Sequence, residues 1–448
     1  MLANFSFSWL SVRLFGFPNP VASRPLSTIL GIETSCDDTG AAVVNNKRMV
    51  LGESLASQTP TSIKMGGVVP PIAQKLHVEN IEETVSTAMK KSSISWDNLD
   101  AIAVTVKPGM ALSLKIGVVY AKQLAVKHNL PIIPIHHMEA HALTAMLTDE
   151  RYKCVKLTCF LSLTLPFLAL LVSGGHSLLT LARDIDEFLL LGTSLDMSPG
   201  DCLDKIARRL HLASLNNAMY SQIPGGMAIE MMARTSYRPE IYPMPTPRSV
   251  ARDCDFSFSG IRSAADRLIA RLEKEHADGV LPIDVIASIC ASCQTAVTRL
   301  FCRRAQRAIE YCVLNSLLPS SVQIPQTSWP TPSPPTNVDP SAPALVVSGG
   351  VASNLFIRNE LTKVAAHYGM RLVAPPPRLC TDNGVMVAWN GALLHSRGKR
   401  IEHDPSVIDF SPRAPLGEDI RALVAKANIR IRPLQVAKSR SSGAVNPS

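Results

Sequence analysis

Long apolar segments are scarce in this sequence, and their scarcity argues against a membrane-spanning protein. The most apolar stretch, 157–172, is shorter than the roughly 20 residues that a spanning helix needs, and it contains Pro166 just before a glycine turn. We therefore predict no membrane insertion. Charged residues make up only 18% of the 448 residues and aromatic residues only 5%, against 46% hydrophobic residues. This composition is typical of a soluble α/β protein with two or three domains.

A disulfide framework is also missing. The ten cysteines are scattered along the chain, and the Cys-x-x-Cys sequence of Cys290 and Cys293 lies inside a helical pattern without a second such pair. Paired Cys-x-x-Cys motifs are typical of zinc sites, and even, regular cysteine spacings are typical of secreted domains. We interpret Cys290 and Cys293 as core residues and expect a reducing compartment.

Acidic residues are absent from the first 28 residues, which contain Arg13, Arg24 and five serines. Such a leader is typical of mitochondrial transit peptides, whereas a secretory signal would place its positive charge before the apolar run. We predict a transit peptide over 1–28 and a location in the mitochondrial matrix. Loss of the leader removes two arginines and no acid, so the net charge falls from +9 to +7. The basic remainder favours a polyanionic partner.

The rest of the chain is organised around the sequence His-His-Met-Glu-Ala-His at 136–141. It follows an apolar, strand-like run and opens a predicted helix that ends near residue 147. Residues four apart share one helix face, so His137 and His141 would offer two imidazoles side by side to a metal. Asp382, in a turn rich in Gly and Asn, could add a carboxylate. Two histidines and one carboxylate leave positions open for substrate, as catalytic metal sites do.

Glycine-containing turns follow several predicted buried strands. The tetrapeptide Val-Ser-Gly-Gly occurs at 172–175 and again at 347–350, and a polar turn at 33–40 joins the two strands of a predicted hairpin. Glycine allows a backbone to approach a ligand closely, and open α/β sheets bind ligands at the carboxyl ends of their strands. The pattern predicts a nucleotide held in a cleft between two lobes. Asp204 lies between the two Val-Ser-Gly-Gly turns and could bind the ribose or another polar group of the ligand; Asp204 and Lys205 could also be an ordinary charge pair on a helix.

Taken together, the motifs resemble the tRNA N6-adenosine threonylcarbamoyltransferase (TsaD-like) family. The leader and the sequence LDMSPGDCLDKIARRL resemble its mitochondrial branch in animals. The resemblance runs in order from 29 to 413 through LGIETSCDDTGAAVV, GGVVPPIAQKLHVENI, HHMEAHAL, LLVSGGHS, GDCLDK, DFSFSG, SGGVASN and PPPRLCTDNGVMVAWNG. It implies the actin/Hsp70/sugar-kinase (ASKHA) fold, an α/β architecture in which two duplicated lobes enclose a nucleotide cleft.

This resemblance sets the expected domain limits. An N-terminal lobe would span 29–165 and a C-terminal lobe 166–413. The second lobe would contain a disordered, Pro-rich surface loop at 317–343. A C-terminal extension and tail would follow over 414–448.

The resemblance also implies a reaction and its site. The threonylcarbamoyl group of threonylcarbamoyl-AMP would move to N6 of the adenosine 3′ of the anticodon, in tRNAs that read codons beginning with A, with release of AMP. One divalent metal ion per subunit (Fe, Zn or Mg) would bind His137, His141 and Asp382. The adenylate would be held by Leu171, Val172, Ser173, Gly174, Gly175, Asp204, Gly226 and Asn354. A separate synthase would supply threonylcarbamoyl-AMP, and the enzyme would be a homodimer.

Other features qualify this interpretation. Pro71 stands where many family members carry Glu, and the segments 149–166 and 212–223 look longer than usual for the family. No motif identifies a general base. We expect tRNA to dock on basic surface near the cleft that includes Lys205, Arg208 and Arg209.

Rival functions are less well supported by the motif. A zinc peptidase of the His-Glu-x-x-His type needs its glutamate directly after the first histidine, whereas Glu139 lies about 200° around the helix from His137. An ATP-dependent kinase or chaperone of the same fold needs no His/His/Asp set. Loss of a ligand would have favoured a non-catalytic nucleotide-binding scaffold, but all three ligands are present.

Overall fold

The computed structural model describes residues 26–148, 163–215, 219–236, 241–325, 339 and 341–436. Most of the predicted transit peptide, most of the 149–166 segment and the end of the tail therefore lie outside the described residues. The same holds for residues 326–338 of the predicted Pro-rich loop.

Strands and helices alternate along most of the chain, as the sequence pattern predicts. The strands are β1 (Thr28–Glu33), β2 (Thr39–Asn45), β3 (Val50–Ala56), β4 (Ala101–Lys107), β5 (Ile132–His136), β6 (Phe167–Val172), β7 (Ser177–Asp184), β8 (Glu187–Thr193), β9 (Ala344–Ser348), β10 (Arg371–Val373) and β11 (Glu418–Asp419). The helices are α1 (Thr59–Met65), α2 (Pro70–Ser92), α3 (Ala111–His128), α4 (His137–Thr148), α5 (Pro199–Arg209), α6 (Gly225–Arg234), α7 (Ser259–Glu275), α8 (Ile283–Leu314), α9 (Leu355–His367), α10 (Pro377–Cys380), α11 (Gly384–Ser396) and α12 (Arg421–Lys426).

Two sheets repeat one topology. In the first, the order is β3-β2-β1-β4-β5, with β1, β2 and β3 antiparallel and with β4 and β5 parallel to β1. The second sheet has the corresponding order β8-β7-β6-β9-β10 with the same strand directions, and β11 is added beside β8. The repeated order is a duplication of one sheet topology, and it confirms the two-lobed ASKHA fold. Both Val-Ser-Gly-Gly turns follow strands of the second sheet, β6 and β9, so these turns are not the two copies of the duplication.

The central strands are buried on both faces because helices cover both sides of each sheet. All six residues of β1 and all six of β6 are buried, which explains why their sequences are nearly continuous apolar runs. Helices α2 and α3 cover one face of the first sheet. On the other face, α4 and α11 join a core that also includes residues of β6 and β9. The helix that begins at His137 is therefore packed between the two sheets.

Helix α11 packs on the first sheet although it comes late in the chain. Two glycines allow this close approach: a Cβ on Gly31 would lie 2.2 Å from the backbone nitrogen of Ala388, and one on Gly384 would lie 2.4 Å from the carbonyl carbon of Ala41. The predicted C-terminal lobe, 166–413, thus includes a helix that packs in the first lobe. The residue limits of the lobes stay a prediction.

The prediction of a disordered surface loop over 317–343 is wrong at its beginning. Leu318 and Val322 are 7% and 2% exposed and pack in the core of the second lobe, because these two apolar side chains continue the buried face beyond α8.

Helix α8 is long and apolar enough to cross a membrane, yet 83% of its most apolar 18-residue stretch is buried within the protein. Its Cys290 and Cys293 are fully buried, which confirms the interpretation as core residues.

Candidate metal centre and adenylate site

The three predicted metal ligands come together at the start of α4. Strand β5 ends at His136 and α4 begins at His137, so His137 and His141 lie on one face of the first helical turns. Asp382 precedes α11 in a turn that Asn383 fixes by accepting the backbone N–H of Met386 at 2.9 Å. Oδ1 of Asp382 lies 3.1 Å from Nε2 of His141 and 3.5 Å from Nε2 of His137. The two Nε2 atoms are 3.2 Å apart.

Hydrogen bonds to Nδ1 of His137 orient the ring so that its Nε2 faces Asp382 and His141. Its Nδ1 lies 3.3 Å from Oε2 of Glu33 and 3.0 Å from Oγ of Ser35. The carboxylate of Glu33 is fully buried and already accepts the N–H of Ser35 at 2.6 Å and the O–H of Thr105 at 2.5 Å. Because an ionised carboxylate can only accept, Nδ1 of His137 carries the proton, and Nε2 is free to bind a metal.

The charges around the three side chains also fit a cation. Burial alone would lower the pKa of His137, but the carboxylates of Asp382 and Glu33 outweigh burial and raise this pKa to about 9. Burial would likewise raise the pKa of Asp382, but the neighbouring histidines hold it well below its usual range. The two carboxylates thus favour a positive charge at His137, and a metal ion bound at its Nε2 would take the place of the proton there. Two imidazoles and a carboxylate are a donor set that suits a divalent transition metal, and the residues present fit such an ion.

Glu33 is expected to matter for metal binding although it would not touch the metal. In the Glu33→Gln variant the buried shape is kept but the negative charge behind His137 is lost. We expect metal affinity to fall about 10- to 100-fold, as is typical when a partner of a metal-ligating histidine is changed. Competition with a chelator measures this affinity, and Glu53→Gln on β3, where Glu53 pairs with Arg378 at the surface, is a matched control. If Glu33→Gln bound the metal as tightly as wild type, Glu33 would contribute only to packing and hydrogen bonding in the core.

The first Val-Ser-Gly-Gly turn lies beside the three predicted metal ligands. The ring of His176, which follows the turn, has its centroid 6.1 Å from that of His137. Ser173 closes the turn: its backbone N–H donates to the carbonyl of His176 at 2.9 Å, and its Oγ accepts the N–H of His176 at 3.1 Å. A Cβ on Gly174 or Gly175 would meet no atom within 4 Å, so open space lies on that side of both glycines. The carbonyl oxygen of Gly174 accepts from the hydroxyl of Ser198, and the N–H of Gly175 donates to Oγ of Ser173 at 3.3 Å.

The second Val-Ser-Gly-Gly turn touches the first. Strands β6 and β9 are hydrogen-bonded neighbours, with Leu171 opposite Ser348. Gly349 has φ +100°, and a Cβ there would lie 2.3 Å from the carbonyl oxygen of Val172, so this position requires glycine. Leu171 and Val172 are fully buried in this structure, and their contact with a ligand stays a prediction. The structure therefore places both repeated turns at the carboxyl ends of adjacent parallel strands.

The remaining predicted adenylate residues make protein contacts in this structure. Oδ1 of Asp204 accepts the N–H of Gly226 at 2.8 Å, which joins α5 to the start of α6, and burial raises the pKa of Asp204. Asn354 caps α9 by accepting the N–H of Ile357 at 3.1 Å, and its amide donates to Gln294 at 2.9 Å. A role of these side chains in ligand binding stays a prediction.

The basic residues that we expect near tRNA also have protein partners. Lys205 pairs with Asp201 at 2.6 Å, and Arg209 pairs with Glu273 at 2.6 Å. Arg208 donates to the carbonyl oxygen of Gly66 at 2.5 Å. Docking of tRNA on this surface stays a prediction.

Sequence reasoning missed the residues behind the metal ligands. The sequence places Glu33 and Ser35 only in a general polar turn at 33–40, and it gives Thr105, on β4, no role. A charged residue directly after the apolar run 28–32 was the available signal, because a buried carboxylate needs partners.

Glu139 accepts two hydrogen bonds from Arg400, at 2.7 and 3.1 Å, so the peptidase alternative loses its water-activating base.

Comparison with known proteins shows which family the chain belongs to. The family model described as tRNA N6-adenosine threonylcarbamoyltransferase (TsaD) matches residues 49–389. The chain is 45% identical over 433 residues to the Mus musculus protein named "tRNA N6-adenosine threonylcarbamoyltransferase, mitochondrial", covering 95% of this chain and 96% of that protein. Its identity to the Homo sapiens protein of the same name is 43% over 411 residues, covering 91% of this chain and 90% of that one.

A bacterial relative is more distant. The Gluconobacter oxydans protein named "tRNA N6-adenosine threonylcarbamoyltransferase" is 36% identical over 403 residues, covering 90% of this chain and 96% of that protein. Identity is thus higher to the animal mitochondrial proteins over a similar coverage. The chain belongs to the tRNA N6-adenosine threonylcarbamoyltransferase family, in its animal mitochondrial branch.

Proposed function

We propose that this protein transfers the threonylcarbamoyl group from threonylcarbamoyl-AMP to N6 of the adenosine 3′ of the anticodon in mitochondrial tRNAs that read codons beginning with A. The observation that carries the proposal is the convergence of His137, His141 and Asp382 beside an open glycine turn, in a chain of this family. The protein would act in the mitochondrial matrix.

The reaction demands little covalent chemistry from the protein. N6 of the adenosine forms a bond to the carbamoyl carbon, and the bond from that carbon to the phosphate oxygen breaks. AMP leaves with the electron pair, and N6 loses one proton, which the departing phosphate can accept. Because the acyl phosphate is already activated, positioning of the two reactants and stabilisation of the developing charge carry most of the rate enhancement.

His137, His141 and Asp382 would hold one divalent metal ion. When bound, the metal supplies Lewis-acid stabilisation of negative charge on a phosphate or carbonyl oxygen. Of Fe, Zn and Mg, the two imidazole nitrogens favour Fe or Zn, because Mg prefers oxygen ligands. Glu33 and Ser35 orient the ring of His137, and Asn383 fixes the turn that carries Asp382.

The adenylate would lie across the two glycine turns. The open space beside Gly174 and Gly175 would let a phosphate come close to this turn, and Ser173 holds the turn in shape. Leu171 and Val172 would contribute backbone groups. Asp204, Gly226 and Asn354, from α5, α6 and the start of α9, would contact the ribose and base side of the nucleotide.

The proposed partners follow from the chemistry of the substrates. A separate synthase must form threonylcarbamoyl-AMP. The tRNA is a polyanion, which suits the net charge of +7 that remains after loss of two arginines with the leader. We also propose that the enzyme is a homodimer, as the family resemblance implies.

The direct test uses metal-loaded protein, threonylcarbamoyl-AMP and an unmodified tRNA transcript. We expect mass spectrometry of the digested tRNA to find threonylcarbamoyladenosine, and to find none when guanosine replaces the adenosine 3′ of the anticodon. Release of AMP without modified tRNA, or no product from folded, metal-loaded protein, would refute the proposed transfer.

A further inference from the structure

We propose that Glu139 and Arg400 form a positioning pair that sets the distance between the two histidine ligands on α4 and the aspartate ligand beside α11. The inference rests on the proposed metal site, because it concerns the geometry of that site. Neither residue would touch the metal or the substrates.

Glu139 lies between the two histidine ligands in sequence but on another side of the helix. It is two residues from each of His137 and His141, which is about 200° around a helix axis. Its side chain is 7% exposed, and both carboxylate oxygens accept from Arg400, at 2.7 and 3.1 Å. A two-point pair between a planar guanidinium and a carboxylate is directional, so it restrains the rotation of α4 as well as its position.

Arg400 belongs to the segment that follows α11 and is itself anchored. Its φ is +55°, a left-handed conformation that a turn imposes there. Two residues later, Glu402 exchanges two backbone hydrogen bonds with Ile132, at 2.8 and 2.9 Å. Ile132 begins β5, the strand that runs directly into α4. Arg400 is therefore held against the same strand and helix that present the histidines.

The other end of α11 carries the third ligand. Asp382 lies two residues before Gly384, the first residue of α11. Along the helix, the indole N–H of Trp389 donates to the backbone carbonyl of Leu143 on α4 at 3.0 Å. Three polar contacts therefore join α4 to α11 and its flanking turns: Asp382 with the histidines, Trp389 with Leu143, and Arg400 with Glu139.

The consequence concerns metal geometry. Metal–ligand distances tolerate changes of only about 0.2 Å, so a small rotation of α4 relative to α11 would misplace one ligand. Glu139 and Arg400 resist that rotation without offering a donor to the metal. A buried pair that served only stability could be lost without a change in the coordination of the bound ion.

The test is a Co²⁺ titration of metal-stripped protein, followed by its visible absorption spectrum. We expect Arg400→Met to weaken Co²⁺ binding about 10-fold or more and to alter the absorption bands that report coordination geometry. Lys399→Met is the matched control: Lys399 is the neighbouring residue, and it pairs with Asp186 at 2.6 Å instead of with α4. We expect its affinity and spectrum to equal those of wild type.

A second variant separates positioning from folding. Glu139→Gln keeps the side-chain shape and should also alter the Co²⁺ spectrum, and the double variant Glu139→Gln/Arg400→Met should be no worse than the worse single variant. Folded variants with wild-type spectrum and affinity would overturn the inference, as would fully additive effects. Wild-type protein that binds Co²⁺ but modifies no tRNA would refute the proposed function and leave the pair standing. Wild-type protein that binds no Co²⁺ would overturn both.

Discussion

Replacing His141 with alanine is expected to lower kcat/KM for tRNA modification by about 10³-fold, which corresponds to about 4 kcal/mol of transition-state stabilisation. His141 is only 2% exposed, and its Nε2 is the atom nearest to both of the other ligand atoms. Its removal leaves one imidazole and one carboxylate, a set that binds a divalent ion weakly. Initial rates of threonylcarbamoyladenosine formation, together with the metal content of the purified variant, measure the effect.

His403→Ala is the control for the His141 variant. His403 is exposed and lies outside the metal centre, so we expect its rate and its metal content to match those of wild type. If His141→Ala retained the wild-type rate, the transfer function would survive and the metal-centred mechanism would be wrong.

A methyl group on Gly31 is expected to cause a large loss of stability in the first lobe. The added Cβ of Gly31→Ala would lie 2.2 Å from the backbone nitrogen of Ala388 and 2.6 Å from the carbonyl oxygen of Gly384. Both atoms belong to the backbone of α11, so β1 and α11 must separate. We expect the free energy of unfolding to fall by about 3 kcal/mol, at the upper end for overpacked cores.

The Gly31→Ala substitution is also expected to affect the metal centre. Because α11 follows Asp382 by two residues, its displacement should also weaken metal binding. Denaturant-induced unfolding measures the stability change, and Gly350→Ala serves as the stability control, since a Cβ there meets no atom within 4 Å. A Gly31→Ala protein as stable as wild type would show that the contact between β1 and α11 is looser than the structure describes.

The local parts of the site could be predicted because their signals lie in short stretches of sequence. A spacing of four on a helix is enough to place His137 beside His141. A repeated tetrapeptide after two buried strands is enough to predict a ligand site at the carboxyl ends of those strands. Because β6 and β9 are neighbours in one sheet, the same tetrapeptide does not reveal the duplication of the two sheets.

Contacts between distant parts of the chain could not be predicted in this way. Gly31 and Gly384 are 353 positions apart by their residue numbers, and neither sequence context shows that β1 packs against α11. The partner of Glu139 is 261 positions away, and the buried Glu33 looks like any polar residue at a strand end. The sequence therefore did not show that Glu33 and Glu139 are buried, because their partners lie far away along the chain.

The most direct test of the metal-centred transferase is a back-titration of metal-stripped enzyme. Fe²⁺ or Zn²⁺ is added in increments to enzyme with saturating threonylcarbamoyl-AMP and tRNA, and the initial rate of threonylcarbamoyladenosine formation is measured. We predict that the rate rises linearly to one metal ion per subunit and then stays constant, and that His141→Ala shows no rise over the same range. Full activity of the metal-free wild-type enzyme would contradict the role assigned to His137, His141 and Asp382.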